Sequence, residues 1–144
     1  MSSRVWQELI DKASRETTTA RQHVLRHRSE LERAEQQHRQ LEMFREDYAN
    51  QASAAGNRMS LSRMMHLRSF IENLDVAIAQ LAAHIETVRA RSAEAQQRLT
   101  DRRARQLALE NLVAVREARE KTRSDRREQA AIDDLIQVHA QKSR

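Results

Sequence analysis

Along the first part of the chain, apolar residues recur at alternating steps of three and four. The ladder runs Trp6, Ile10, Ala13, Thr17, Ala20, Val24, His27, Leu31, Ala34, His38, Leu41, Arg45, Tyr48 and Ala52. Most rungs are apolar, and the positions between them are rich in Glu, Gln and Arg. This spacing keeps one stripe of a helix turned toward a partner helix, the mark of a coiled-coil seam. A strand would need alternation with period two, which is absent. A second ladder runs Leu67, Ile71, Leu74, Ile78, Leu81, Ile85, Val88, Ser92, Ala95 and Leu99. It then meets Arg102 and Gln106, and apolar residues resume at Leu107, Leu109, Leu112, Val113 and Val115. That interruption reads as a stutter or a change of packing face. Between Arg116 and Gln129 only Ala118 is apolar, and Ala130, Ala131, Ile132, Leu135, Ile136 and Val138 form a last apolar group.

Between the ladders stands Ser53-Ala54-Ala55-Gly56-Asn57-Arg58. Gly56 suits the left-handed residue that ends a helix, and Ser60 or Ser62 can cap the next one. The pattern therefore predicts an all-α fold: a long two-helix antiparallel coiled-coil hairpin, its second helix longer than the first. Helix one spans about 3–54, the turn about 55–60 and helix two about 61–140, forming a single domain over residues 1–144. A short connection makes the helices antiparallel and pairs positions whose numbers sum to roughly 119. Tyr48 then faces Ile71, Leu41 faces Ile78, Ala34 faces Ile85, Val24 faces Ala95 and Ile10 faces Leu109. The last stretch of helix two runs beyond the start of helix one, where the apolar ladder fades.

Composition narrows the chemistry. One Gly and no Pro among 144 residues leave material for about one sharp turn and none for a phosphate-binding glycine loop. Having no Cys removes disulfides, thiolate metal sites and cysteine nucleophiles, and fits a reducing compartment. No apolar run near the start has the length of a secretory signal, and none elsewhere is long enough to span a bilayer. His23 and His27 stand four apart on a helix, a spacing able to hold a metal. No glutamate or third ligand joins them in the required pattern, so packing is the favoured reading. No catalytic constellation is found, and no enzyme, cofactor or metal is expected; the function must lie in binding.

Two features carry that expectation. Phe44, Tyr48 and Phe70 are three of only four aromatics, and they gather near the turn. Tyr48 is a rung, whereas Phe44 and Phe70 each precede one and so stand at the shoulder of the seam. They form either a partner patch or a local thickening of the hairpin, and the sequence weighs the two equally. The second feature is charge. Residues 98–127 hold ten Lys or Arg against five acids, a surplus equal to the whole formal charge of +5. Phosphate contacts need only such cations. Yet no aromatic lies among them to stack on bases, so an acidic protein surface is favoured over nucleic acid. A solvated charged face remains the plain alternative.

With these residues in view, the chain resembles the FliJ family of the flagellar type III export apparatus over nearly its full length. The resemblance rests on Gln37, Leu41, Phe44 and Tyr48 in helix one, and on Phe70, Leu74 and Ala77 within Phe70-Ile71-Glu72-Asn73-Leu74-Asp75-Val76-Ala77-Ile78. The family commonly continues with a polar residue where this chain has Leu81. The resemblance implies a stalk-like coiled coil of a type III secretion system serving motility and chemotaxis. It implies a cytoplasmic protein, peripheral at the inner face of the inner membrane at the flagellar base, with no direct insertion. Its implied partners are the hexameric export ATPase, the cytoplasmic part of the membrane export gate, and export chaperones. Gln37, Leu41, Phe44, Tyr48, Phe70, Leu74, Ala77 and Leu81 would form the gate patch. Arg102, Arg103, Arg105, Arg116, Arg119, Lys121, Arg123, Arg126 and Arg127 would contact the ATPase ring. The alternatives are the equivalent stalk of a virulence injectisome, or a basic structural or nucleic-acid-binding coiled coil.

Overall fold

A computed structural model describes residues 3–143. Helix α1 covers Ser3–Ala55 and helix α2 covers Leu61–Lys142. A short 3-10 turn, Gly56–Arg58, joins them. No strand occurs among the described residues. The fold is thus an all-α antiparallel hairpin whose second helix is the longer. Gly56 takes φ +46° with open space where a side chain would begin, so its role is conformational freedom and not close packing. Met59 is extended, and Ser60 Oγ accepts the backbone N–H of Arg63 at 3.2 Å. Ser60, and not Ser62, is therefore the cap of α2, satisfying a donor that the first turn leaves free.

The helices divide between two compact units, residues 18–100 and residues 1–17 with 101–144. In the first, Val24, Ala34, Leu74, Ile85, Val88, Ala95 and Leu99 are buried. Val24, Ala95 and Leu99 form one apolar cluster with Ala20 packed against it, in the predicted pairing of Val24 with Ala95. Polar side chains bridge the same two helices. Arg45 Nε donates to Asp75 Oδ1 at 2.6 Å, Arg28 Nη2 to Gln96 Oε1 at 3.0 Å, and Arg89 Nη2 to Glu35 Oε1 at 3.3 Å. Arg45 is the one exposed rung of the first ladder, and its bond to Asp75 explains why a cation occupies the seam there. That hydrogen bond, and then the carboxylate's charge, raise the guanidinium's pKa above its ordinary value.

In the second unit Ala13 and Thr17 are buried. Thr17 Oγ1 donates to the Ala13 carbonyl at 3.0 Å, which satisfies a hydroxyl that would otherwise be costly inside the seam. In the same unit Gln106, Leu109 and Val113 are half-buried at a three-four step, while Arg102 Nη1 donates to Glu16 Oε2 at 3.1 Å. Two rungs of this unit's seam are therefore polar, and one of them is neutralised by an acid on α1. Arg116 takes the next rung, its guanidinium 5.5 Å from the centre of the Trp6 ring. Every described residue from Ala114 onward is exposed.

Candidate partner-binding surfaces

The first surface is built by register. Gln37, Phe44, Phe70 and Ala77 each come immediately before a seam rung. In an antiparallel pair, positions that precede corresponding rungs fall on the same flank. Both helices therefore contribute to one flank of the hairpin near its turn. Tyr48 and Phe70 meet edge to face, with ring centres 4.8 Å apart. This contact fixes the orientation of Phe70 and leaves Phe44 standing free of the seam. Gln37, Phe44 and Phe70 are exposed, and Leu41, Tyr48, Ala77 and Leu81 are half-buried. Leu74 is buried, so it supports the flank from within and presents almost no surface. Leu81 is a half-buried rung of the seam. The register reading places Phe44 within about a turn of Phe70, but the ring that meets Phe70 is Tyr48.

Sequence reasoning passed over other exposed apolar groups beside the turn: Met43, Leu61, Met65 and Val76. Leu61, Met65 and Val76 lie on the outer side of α2, out of phase with the seam. Their signal was present as a second set of apolar positions, but the stronger ladder masked it.

The basic residues do not act as one group. Arg102 and Arg116 turn toward α1, onto Glu16 and Trp6. Arg119, Arg123, Arg126 and Arg127 share a groove on α2 with Val115, Ala118, Thr122 and Ala130. Arg103, Arg105 and Lys121 are exposed outside that groove. Arg123 also stands 3.9 Å from Glu120. The groove therefore offers four guanidinium groups around a floor of small apolar side chains. Such a surface suits a carboxylate-bearing helix better than a bare phosphate chain, because it has apolar area to cover as well as charge to neutralise.

The histidine pair separates. His27 occupies the seam, its Nδ1 3.8 Å from Glu30 and without a hydrogen-bond partner, while His84 of α2 lies 3.9 Å from the same glutamate. His23 is half-buried beside the seam. No group of three His, Cys, Asp or Glu among the described residues is placed to hold a metal ion. None of the described helices is long and apolar enough to cross a membrane.

An antiparallel helical hairpin built on such a seam belongs to the class of helical, coiled-coil-like proteins. Within that class the family is shown by sequence: the family model described as Flagellar FliJ protein matches residues 4–144, and the chain belongs to the FliJ family. Membership points to the flagellar protein export apparatus. Comparison with curated proteins and with solved structures gives no match.

Proposed function

We propose that this chain is a non-catalytic, stalk-like component of flagellar type III export, which binds the hexameric export ATPase and links it to the export gate. The observation that carries the reading is the arginine groove on a stretch of α2 that has no helix of its own chain covering it. A lone, exposed helix with four guanidinium groups on one face is stable in use only when a partner neutralises and packs it. The ring's central channel supplies such a partner, and by assembling around the helix the ring gains activity. The aromatic flank near the turn serves the cytoplasmic part of the gate, and export chaperones are a further cargo. The protein works in the cytoplasm, peripheral to the inner membrane.

The test is ATP hydrolysis by the flagellar export ATPase, with and without this chain, near the concentration at which rings form. Stimulation that disappears when the residues beyond Arg116 are removed, which spares Val113 and the contact of Arg116 with Trp6, supports the stalk. Absence of both stimulation and ring binding refutes it. The gate patch has its own test. Phe44→Ala combined with Phe70→Ala removes two exposed rings from the flank and should weaken binding to the gate's cytoplasmic part on the order of tenfold or more. The helices should still form, since neither residue is a rung, and a thermal melt accounts for the lost packing of Phe70 on Tyr48. Unaltered gate affinity would remove the flank from the mechanism.

A further inference from the structure

The uncovered surface of α2 is wider than the arginine groove and includes most of it. In the unit holding residues 101–144, Leu109 and Val113 point into the seam, yet Leu107, Leu112 and Val115 are 58%, 51% and 49% exposed. At 3.6 residues per turn, Ala104, Leu107, Asn111, Val115, Ala118 and Thr122 fall on one stripe, roughly opposite Leu109 and Val113. The helix is therefore apolar on two sides, and α1 covers one of them. The uncovered stripe alternates larger residues with Ala104 and Ala118, which lets another helix approach closely.

One flank of the stripe is strongly charged. Arg105, Arg119, Arg123 and Arg126 line it together with Leu112, and no acid falls on that flank between residues 105 and 126. On the other flank Arg103 and Lys121 stand with Glu110 and Glu117, and Glu110 already accepts a hydrogen bond from Gln106 Nε2 at 3.1 Å. A second copy of this chain would set the arginine flank against its own like or against a balanced flank. Neither offers the negative charge that four arginines call for.

We infer that the outer face of α2 around Leu107, Leu112 and Val115 is a docking site for an acidic amphipathic helix, which packs there as a third helix. Leucine-like residues of that helix cover the stripe, and its carboxylates pair with Arg105, Arg119, Arg123 and Arg126. This site is distinct from the seam and from the aromatic flank; it overlaps the arginine groove and so deepens the proposed function, but its test requires no ATPase, so failure of the probe and failure of ATPase stimulation are read separately.

The probe is a labelled synthetic helix of about three heptads, with leucine at the core positions and glutamate at the flanking ones; its control carries lysine in place of glutamate. Glutamate repulsion keeps the probe unfolded alone, so binding to the full chain should raise both its anisotropy and the helical signal. The lysine control should not bind. Leu107→Gln, Leu112→Gln and Val115→Gln together leave charge and seam untouched and should weaken the acidic probe at least about tenfold. Replacing Arg105, Arg119 and Arg126 by Glu should transfer preference to the lysine helix. Equal binding by the apolar variant would reduce the interaction to charge alone and overturn the site, as would no binding or equal binding of both probes. A dimer of the free chain that is lost in the apolar variant would give the face to a second copy, also overturning the proposal.

Discussion

Val88→Asp will melt the hairpin of residues 18–100 far below the parent, while Val76→Asp on the same helix will leave it nearly unchanged. The two valines are twelve residues apart in one continuous helix and have the same intrinsic propensity. They differ in burial: Val88 is 0% exposed and Val76 is 57% exposed. A carboxylate at Val88 must lose its water or force the helices apart, at a cost on the order of 4 kcal/mol. A hairpin one seam thick has no second core layer to absorb this, and total stabilities of domains are themselves only about 5–15 kcal/mol. At Val76 the carboxylate stays hydrated, and the change should fall within about 0.5 kcal/mol. Val88→Ala lies between, at about 2 kcal/mol, from two lost carbons and the cavity they leave. Thermal melts followed by far-ultraviolet circular dichroism separate the three. Coincident melts for the two aspartate variants would mean that the seam does not carry stability at Val88.

On the proposed stalk function, reversing Arg119, Arg123, Arg126 and Arg127 to Glu will steeply raise the concentration of this chain needed to stimulate the export ATPase. The effect should be on the order of a hundredfold in the concentration needed, because each substitution removes an attraction and adds a repulsion. The structure determines which arginines to change. Arg102 is held by Glu16 and Arg116 lies over Trp6, so altering either disturbs the contact between α1 and α2 as well as any partner. Deletion after Leu112 has the same fault, since it takes Val113 and Arg116 with it. The four groove arginines carry no such load on α1. A companion variant with Gln at the same four positions keeps the helix free of like-charge repulsion. It should lose less than the Glu variant, and its remaining stimulation should fall with added salt. Full stimulation by the Glu variant would remove the groove from the ATPase contact.

Both predictions depend on features that were legible in the sequence to different degrees. The ladder of apolar rungs named Val88 as a seam residue, and its complete burial follows from the regular step on both sides. The charge surplus of residues 98–127 was equally plain. The division of those cations into two that brace α1 and four that share a groove was not. A helix of 3.6 residues per turn scatters neighbouring arginines round its circumference, and only a partner helix in place tells which direction is inward. The aromatic flank shows the same limit. Spacing put Phe44 and Phe70 at the shoulder, but the choice of Tyr48 as the ring that Phe70 meets depends on side-chain direction across two helices.

The apparent break after Leu99 illustrates the reason most clearly. Arg102 and Gln106 look like a failure of the ladder because hydropathy is counted one residue at a time. Glu16 lies 86 residues away from Arg102 in sequence, and their hydrogen bond lets the charged residue keep its place in the seam. With Leu109 and Val113 taking the rungs in the unit that holds Glu16 and Arg102, Leu107, Leu112 and Val115 are left exposed as an uncovered face. The sequence by itself determined the helices, the turn and their antiparallel pairing, because periodicity, one glycine and a capping serine act locally, and its motifs carried the resemblance to the FliJ family. Tertiary structure alone decided which charges are spent inside the protein and which apolar residues remain for partners, because both depend on what stands across the seam.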